Sequence, residues 1–566
     1  MSNVVTNTSS SQQTAEATQT GAELLVKNLE AQGVEYVFGI PGAKIDKVFD
    51  ALADAKIKTV VCRHEQNAAF IAAGIGRMTG KAGVCIGTSG PGCSNLVTGL
   101  ATATSEGDPV VALGGATTVA NRLKRVHQAM DTVSLFRPVT KYSVEVNSSE
   151  AISEVVADAF RAAESGRPGA SFISLPMDIM AESATGEVLT PVQPDLLGAA
   201  DENAIDAAAL AINHARNPVV LLGMLSSRQE TAESIRAFLR TTGLPAVNTY
   251  QGAGVVSRDL FAQFGGRVGL FHNQPGDRLL DAADLVITIG FDPIEYDAAL
   301  WNKGRRHQVV HIDVLRPDTD QHYKPAVELI GNVKETLRRL TLKVDPVVAG
   351  KNLEILSEIA MERGVFAERA LLLNGTPIHP MRFVHALQGF VSDDMTLCLD
   401  MGSFHIWLAR YLYSFRARQV LITNGQQTMG VGLPWAIAAS LVRTGEKVIS
   451  ISGDGGFMFS SMELETAVRL KCNLVHIVWI DGGYDMVRFQ QVAKYGRSAA
   501  VDFGPVDVTG IAKACGAHGM MIRRPEEIAP TLKKALELEG PVVVGVPIDY
   551  SDNYKLMEMM HTEGIN

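Results

Sequence analysis

The segment Lys447-Val-Ile-Ser-Ile-Ser-Gly-Asp-Gly-Gly-Phe457, together with Leu474-Val-His-Ile-Val-Trp-Ile-Asp-Gly-Gly483, decides the fold of this chain. Each segment begins with a continuous apolar run that stops near Gly, the pattern of a strand buried on both faces of a parallel sheet. Asp481 follows Asp454 at a spacing that fits one loop, one helix and one strand. We therefore expect both carboxylates at the carboxyl edge of one sheet, where open α/β sheets bind ligands.

The stretch between these two strands has the spacing of a helix. Ser460 and Glu463 form a capping-box pattern, so we expect the helix to begin there, with Leu464, Ala467 and Val468 as its packed face.

The same alternation of apolar runs and amphipathic stretches extends over the whole chain and predicts an α/β protein with doubly wound parallel sheets. Breaks rich in Pro and Gly divide it into three domains, which we place at 21–190, 200–343 and 375–552. A Ser/Thr/Gln-rich tail is expected over 1–20, and a second tail over 553–566. The clearest strands are predicted at 35–40, 59–62, 83–87, 109–113 and 171–175, at 218–222, 285–289 and 309–313, and at 396–399, 447–452, 474–480 and 541–545.

Composition excludes several classes of protein. The 566 residues carry a net charge of −10 without a basic tract, which gives no electrostatic reason to bind nucleic acid. Six cysteines form no CxxC pair, and buried free thiols are expected rather than disulfides or a metal site. Neither a leader peptide nor a transmembrane helix is predicted, so we expect a cytoplasmic enzyme without membrane partners.

The two aspartates predict a magnesium site. Two carboxylates, with backbone and phosphate oxygens, suit a hard cation such as Mg²⁺. Gly455 and Gly456 leave their N–H groups accessible to a diphosphate. The alternative is an ordinary strand-to-helix turn with a capping Asp454, but Asp481 at this spacing favours the metal site.

A second motif, Arg63-His-Glu65-Gln-Asn-Ala-Ala69, follows a predicted strand of the first domain. With the Gly-Asp-Gly segment, it resembles the thiamine-diphosphate enzymes, which implies a pyrimidine-binding first domain and a diphosphate-binding third domain. Asp454 and Asp481 would then be the side-chain ligands of Mg²⁺, and Gly483 would supply a carbonyl. The family more often has Asn where this chain has Asp481. Glu65 would bond to the aminopyrimidine and promote loss of the thiazolium C2 proton.

The resemblance implies further cofactor-binding residues. Most lie in three Gly-containing segments, 88–95, 402–405 and 425–430, and the rest follow Asp454 and Asp481. Taken alone, the first segment is also compatible with a common strand-to-helix turn, and Met429 with a core methionine. The implied set is Pro91, Asn95, Gly402, Ser403, Phe404, His405, Gln427, Met429, Gly455, Gly456, Tyr484 and Met486.

From about Gly21 to Asp552 the chain is most similar to the acetolactate synthases, which join two pyruvates into 2-acetolactate with loss of CO₂. The segments 38–46, 126–130, 138–142 and 425–430 carry this likeness. It implies that Gln128 lies beside the reacting atoms. Lys44 and Gln490 are expected at the substrate pocket, although an exposed Lys44 is equally compatible with the sequence.

Two departures favour the catabolic, FAD-independent branch. Gly290-Phe-Asp-Pro-Ile-Glu-Tyr-Asp297 lacks the paired arginines that biosynthetic relatives carry near FAD, and Gln490 stands where they have Trp. FAD is therefore not expected. The family implies that Glu65 and Asp454 meet between two subunits, hence a homodimer as the active unit and a homotetramer as the assembly. A contact within one chain would need no oligomer. A pyruvate decarboxylase, a pyruvate oxidase or a non-catalytic homologue remain alternatives.

Overall fold

Three six-stranded parallel sheets organise the chain in a computed structural model that describes residues 19–192, 197–269, 271–347 and 350–554. The central strands of each sheet are almost fully buried, as their unbroken apolar runs predict. Helices cover both faces of the sheets, which confirms an α/β architecture of three doubly wound domains.

The first sheet has the strand order β3-β2-β4-β5-β7-β6. A short antiparallel pair, β1 with β8, closes the start of the domain against its end. The elements are β1 (Gln19–Thr20), α1 (Gly21–Ala31), β2 (Tyr36–Gly39), α2 (Asp46–Ala53), β3 (Lys58–Val61), α3 (Glu65–Thr79), β4 (Gly83–Gly87), α4 (Pro91–Asn95), α5 (Val97–Glu106), β5 (Val110–Ala116), α6 (Thr132–Phe136), β6 (Tyr142–Glu145), α7 (Ile152–Glu164), β7 (Ala170–Pro176), α8 (Met177–Ala181) and β8 (Ser183–Ala184).

The central sheet has the order β11-β10-β9-β12-β13-β14. From β9 the strand order runs outward in both directions, to β10 and β11 on one side and to β12, β13 and β14 on the other. The boundary between β9 and β12 is the switch point at which this type of sheet binds dinucleotides. The elements are α9 (Glu202–His214), β9 (Pro218–Leu222), α10 (Gln229–Thr242), β10 (Ala246–Asn248), β11 (Phe264–Arg267), α11 (Pro275–Ala282), β12 (Leu285–Ile289), α12 (Ala298–Trp301), β13 (Gln308–Asp313), β14 (Val327–Ile330), α13 (Val333–Thr341) and the connecting helix α14 (Lys351–Leu372).

The third sheet has the order β16-β15-β17-β18-β20-β19, the same topology as the first sheet. The first and third domains therefore share a fold that the sequence does not reveal as a repeat. The elements are α15 (Pro380–Gln388), β15 (Thr396–Leu399), α16 (Ser403–Tyr411), β16 (Val420–Ile422), α17 (Gly432–Val442), β17 (Val448–Gly453), α18 (Asp454–Ser460), α19 (Glu463–Arg469), β18 (Leu474–Ile480), α20 (Asp485–Tyr495), α21 (Val508–Ala514), β19 (His518–Met521), α22 (Ile528–Glu537) and β20 (Val542–Pro547).

The first and third domains of one chain pack through α3 and α17. A Cβ atom built on Gly74 would lie 2.6 Å from the Cβ of Ala438, so only glycine permits the two helices to approach this closely. Arg77 stacks on Trp435 and donates to the carbonyl oxygen of Ile422 at 2.7 Å. One apolar core runs through both domains as a result.

The described residues include the inner ends of both predicted tails, and these ends belong to folded domains. Residues 1–18 and 555–566 lie outside the described residues. Gln19 and Thr20 form β1, and Thr20 caps α1. Asn553 is buried and accepts a hydrogen bond from the indole of Trp407, so the third domain extends into the predicted C-terminal tail.

The capping-box prediction is wrong. Helix α19 begins at Glu463 with Met462 as its N-cap residue, and the hydroxyl of Ser460 has no hydrogen-bond partner among the described residues. The Glu463 carboxylate instead accepts hydrogen bonds from the first domain, as detailed below.

Within the described ranges, no helix combines the length and the apolar character that a membrane span requires.

Candidate active site

Asp454 and Asp481 lie side by side at the carboxyl edge of the third sheet. Asp454 directly follows β17, and Asp481 directly follows the neighbouring strand β18. Oδ2 of Asp454 accepts hydrogen bonds from the backbone N–H of Asp481 at 3.3 Å and of Gly482 at 2.9 Å. The parallel register of two adjacent strands thus brings together carboxylates that are far apart in sequence.

Like charges accumulate at this edge. Burial, and next the charges of Asp454 and Asp485, raise the pKa of Asp481 to about 7. Burial also raises the pKa of Asp454. Arg488 is the nearby counter-charge, with Nη1 3.4 Å from Oδ2 of Asp481. A bound cation would lower both pKa values by removing this repulsion.

The donor set fits a hard cation that draws only some ligands from the protein. Among the described residues, no cluster of three or more His, Cys, Asp or Glu side chains is arranged to hold a metal. Asp454, Asp481 and the backbone carbonyl of Gly483 supply fewer oxygens than Mg²⁺ needs. Phosphate oxygens and water would complete the coordination.

The start of α16 lies beside this edge. Ser403 donates from its hydroxyl to Oδ2 of Asp485 at 2.6 Å, which ties α16 to the loop after β18. His405 is fully buried, its Nε2 has no hydrogen-bond partner among the described residues, and burial lowers its pKa to about 3. A neutral imidazole with one unused nitrogen fits contact with an added polar group. Gly402 and Phe404 flank these residues.

The turn after Asp454 is closed on one side by Tyr484. A Cβ atom on Gly455 would lie 2.8 Å from the Tyr484 ring. Gly456 packs against the carboxylate of Asp400 in the same way, at 3.3 Å. Only glycine fits at position 455, whose backbone N–H donates to Oδ1 of Asp454 at 3.0 Å. Met486, at the start of α20, is half-buried.

The loop that carries Gln427 and Met429 is held at both ends by buried carboxylates that the sequence analysis missed. Asp400 accepts from the backbone N–H groups of Gly430 and Gly432 at 2.8 and 3.2 Å. Burial raises the pKa of Asp400 to about 6. Asp400 directly follows strand β15, and this position at a carboxyl sheet edge could have marked it in the sequence as a candidate site residue.

Glu106 of the first domain holds the other end of that loop. Oε1 accepts from the hydroxyl of Thr423 at 2.7 Å and from the backbone N–H groups of Gly425 and Gln426 at 2.9 and 3.1 Å. Asn424 also donates its backbone N–H, and Gln251 of the central domain donates its side-chain amide. No local motif marks Glu106, because its partners come from two other domains.

The first domain contributes a second group of predicted residues. Glu65 begins α3 and is only 8% exposed, and its Oε2 accepts from the side-chain amide of Asn95 at 2.9 Å. Gln128 has a left-handed backbone (φ 59°), and its Oε1 accepts from the hydroxyl of Ser89 at 3.3 Å. The loop 88–95 therefore links Glu65 to Gln128. Pro91 lies exposed at the start of α4.

Within one chain, Glu463 joins the two domains near these residues. Its fully buried carboxylate accepts from the backbone N–H groups of Arg63 and His64 at 2.9 and 3.1 Å. It also accepts from the side-chain amide of Asn67 at 3.3 Å. Glu463 thereby holds the two residues that precede α3 in place. Glu65 is the first residue of that helix.

Two predicted pocket residues stand apart from these contacts. Lys44 is half-buried between β2 and α2, and Gln490 is exposed on α20. Neither side chain has a contact that assigns it to a substrate.

The switch point of the central sheet holds a carboxylate of its own. Oε2 of Glu295 accepts from the backbone N–H of Met224, just after β9, at 2.8 Å, and Oε1 accepts from the hydroxyl of Thr249 at 2.6 Å. A Cβ atom on Gly223 would lie 2.8 Å from the Glu295 carboxylate. Burial raises the pKa of Glu295 to about 8.

Family models match each of the three domains. Residues 19–135 match the N-terminal TPP binding domain of thiamine pyrophosphate enzymes, residues 205–340 the central domain, and residues 400–546 the C-terminal TPP binding domain.

Similar proteins cover nearly the whole chain. "Acetolactate synthase, catabolic" of Raoultella terrigena is 54% identical over 550 residues, which is 96% of this chain and 98% of that protein. "Acetolactate synthase" of Bacillus subtilis is 50% identical over 95% of this chain and 94% of its own length. "Acetolactate synthase isozyme 2 large subunit" of Escherichia coli is 31% identical over 94% and 96% of the two chains. The chain therefore belongs to the acetolactate synthases, thiamine pyrophosphate-dependent enzymes that form 2-acetolactate from two molecules of pyruvate.

Proposed function

We propose that this acetolactate synthase is a Mg²⁺-dependent, FAD-independent enzyme of the catabolic type, active in the cytoplasm as a homodimer or a tetramer of two such dimers. The observation that carries the metal part is the approach of Asp454 and Asp481 at one sheet edge. Two carboxylates with raised pKa values and a single nearby arginine are poorly balanced without a cation. We assign Asp454, Asp481 and the carbonyl of Gly483 to Mg²⁺.

Glu295 supports independence from FAD. A flavin dinucleotide would place its diphosphate at the switch point of the central sheet, near the N–H groups that follow β9. There the Glu295 carboxylate already uses the N–H of Met224 and the hydroxyl of Thr249. The greater identity to the "catabolic" relative than to the E. coli isozyme also favours this branch.

Thiamine diphosphate supplies the acidic C2 carbon that takes up pyruvate and the electron sink for loss of CO₂. The chain has to bind the diphosphate, hold the pyrimidine and control one proton. We assign Ser403, His405, Gly455 and Gly456 to the diphosphate. Gly402, Phe404, Tyr484 and Met486 would enclose it, and Gln427 and Met429 would support the thiazolium ring.

We assign Glu65 to proton transfer. Its burial and its hydrogen bond from Asn95 hold the carboxyl group in one orientation, and in that orientation it would exchange a proton with a pyrimidine nitrogen of the cofactor. Pro91 and Asn95 would cover the pyrimidine. Gln128, which Ser89 orients, would donate its amide to the carboxylate of pyruvate without carrying a charge itself. Lys44 and Gln490 are placed at the edge of the substrate pocket.

Exposed apolar side chains support a second subunit at the site. Met458 and Phe459 of α18 and Met462, the N-cap residue of α19, follow Gly456 and are 44%, 46% and 38% exposed. In the first domain, Leu123 and Met130 flank Gln128 and are 96% and 46% exposed. Apolar patches beside both groups of site residues fit a partner that buries them.

The free cysteines support a reducing compartment. None of the six is paired in a disulfide, and five are buried.

Purified protein given pyruvate, Mg²⁺ and thiamine diphosphate tests the proposal. We expect 2-acetolactate, no flavin absorbance, and loss of activity on removal of Mg²⁺. Acetaldehyde as the sole product would favour a decarboxylase, and a stoichiometric flavin would overturn the assignment to the FAD-independent branch.

Glu65→Gln tests the proton role separately. The amide keeps the shape of the side chain but cannot exchange the proton, so we expect modest loss of cofactor binding and a large drop in exchange of the thiazolium C2 proton. Wild-type exchange rates in this variant would refute the assignment.

A further inference from the structure

A large cavity lies away from the candidate active site, between the central domain, the connecting helix α14 and the far end of α16. Its volume is about 720 Å³, several times that of a three-carbon acid such as pyruvate. One wall comes from β11 and the start of α11, the opposite wall from α14, and the floor from Tyr411 and Met381.

Arginine side chains dominate the polar lining. Arg267, Arg278 and Arg410 all face the cavity, and Arg363 and Arg369 of α14 line the other side. Acidic residues line the cavity too: Asp277 accepts from the hydroxyl of Tyr296, Asp281 pairs with Arg306, and Glu362 pairs with Arg278. Five arginines against three acidic residues leave an excess of positive charge in the lining.

Several buried N–H groups at the cavity have no acceptor among the described residues. They are Nε of Arg267, Nε and Nη2 of Arg278, and Nε of Arg410. Arg267 and Arg410 are only 7% and 9% exposed. Buried donors without acceptors are costly, and guanidinium groups prefer phosphate or carboxylate oxygens. Arg267, Arg278 and Arg410 all belong to the lining of one cavity, which favours an oxygen-rich anion as its ligand.

The remaining lining is apolar and partly aromatic. Phe366 of α14 stacks on Tyr411 of α16 with ring centroids 4.1 Å apart, and Ile359, Val365 and Met381 extend this surface. An inorganic anion would leave that surface exposed to water. A ligand with a flat apolar part would cover it and fill more of the volume.

We propose that this cavity is a binding site for a nucleoside polyphosphate, with the phosphates at Arg267, Arg278 and Arg410 and the base against Phe366 and Tyr411. The site regulates the enzyme through α16. That helix begins with Ser403 and His405, assigned above to the diphosphate of the cofactor, and ends with Arg410 and Tyr411. Arg267 donates to the carbonyl oxygen of Ala409 at 3.0 Å near the end of the same helix.

The binding part of the proposal is independent of the roles assigned to Ser403 and His405, and the regulatory part rests on them. Occupancy fixes Arg410 and the last turn of α16, which reduces the motion of Ser403 and His405. Bound nucleotide should therefore tighten the binding of thiamine diphosphate.

Calorimetric titration of the holoenzyme, saturated with Mg²⁺ and thiamine diphosphate, tests binding directly. ATP should bind at one site per chain, more tightly than pyrophosphate, and adenosine should not bind. Arg278→Gln and Arg410→Gln should each weaken ATP binding about tenfold or more, as loss of a charged hydrogen bond predicts. Arg338→Gln, at an exposed position of α13, is the matched control and should bind like the wild type.

Different results would overturn the site itself and the choice of ligand. Absence of ATP binding at millimolar concentrations, or unchanged binding in both arginine variants, overturns the site. Equal affinity for ATP and pyrophosphate overturns the aromatic part of the ligand assignment. Since Arg410→Gln removes a buried group, its circular dichroism is compared with wild type, and Arg278→Gln gives the independent result.

Regulation is measured as the KM for thiamine diphosphate with and without ATP. We expect a severalfold decrease with ATP in the wild type and none in Arg278→Gln. An unchanged KM in a wild type that binds ATP overturns the regulatory part. If Ser403→Ala leaves the KM for thiamine diphosphate unchanged, the fault lies in the proposed function instead.

Discussion

The central sheet and the third sheet both carry acidic side chains at the carboxyl edge, with opposite consequences. In the central sheet, Glu295 is fully enclosed and accepts hydrogen bonds from Met224 and Thr249. In the third sheet, Asp454 and Asp481 face each other, and Arg488 is the nearby counter-charge. Protein donors satisfy the first carboxylate, whereas the second pair has raised pKa values and Arg488 as its nearby counter-charge.

This difference separates a closed ligand site from an open one. Under the proposed function, the Glu295 carboxylate takes the donors at its sheet edge and so removes the anion site that the topology would provide. The pair of carboxylates held together by neighbouring strands binds a cation instead. Acidic side chains near the carboxyl edges of two sheets therefore have different surroundings, and their hydrogen-bond partners make the difference.

The largest effect is expected at the third sheet. Asp454→Ala should abolish Mg²⁺-dependent binding of thiamine diphosphate, because Asp481 alone would leave the cation with one carboxylate to bridge protein and diphosphate. Titration of the cofactor with and without a chelator measures this. Asp394→Ala, an exposed carboxylate of the same domain, is the control. Tight binding that survives both Asp454→Ala and chelation would remove the metal site from this edge.

Glu106→Gln tests a fourth carboxylate, which resembles Glu295 because protein donors satisfy it. The amide places N–H groups against the N–H donors of the loop at 423–426, so we expect a loss of about 2–4 kcal/mol of unfolding free energy. The KM for thiamine diphosphate should also rise, since Met429 lies on this loop. Glu230→Gln, exposed on α10, should change neither. A loss of stability without a change in KM would limit Glu106 to a structural role.

Glu295→Gln is expected to remove a pH dependence of stability. Its pKa in the folded protein, about 8, exceeds the usual value of about 4.3 for an unfolded chain. Between these values the folded state holds more protons, so wild-type stability should fall as pH rises from about 5 to 8. Gln mimics the protonated acid and should not show this fall. Denaturant unfolding of both proteins at several pH values measures the difference, and parallel curves would contradict it.

The smallest effect concerns the acceptor substrate. Gln490 lies on α20, immediately beyond the Asp481 loop, and Gln490→Trp would add an apolar surface there. If this position borders the pocket, the variant should shift the product ratio toward 2-aceto-2-hydroxybutyrate by about 1–2 kcal/mol when pyruvate and 2-ketobutyrate compete. Val492→Trp on the same helix is the control. Equal ratios in both variants would place Gln490 outside the pocket.

Sequence patterns predicted the central strands well because each is a continuous apolar run. Strands β4, β9, β12 and β15 begin and end at the residues that the pattern indicates. The strands that the pattern did not single out are mostly at sheet edges, such as β6, β14 and β19. These are partly exposed over most of their length, and no unbroken apolar run marks them.

The sequence by itself determined the three α/β domains, the acidic pair Asp454 and Asp481, and the family, since these depend on local runs and spacing. The tertiary structure alone decided what Glu106, Glu295 and Glu463 do. Glu463 fitted a local capping box, yet it accepts hydrogen bonds from the first domain. The reason is physical: the function of a buried carboxylate is set by its donors, and these come from distant parts of the chain.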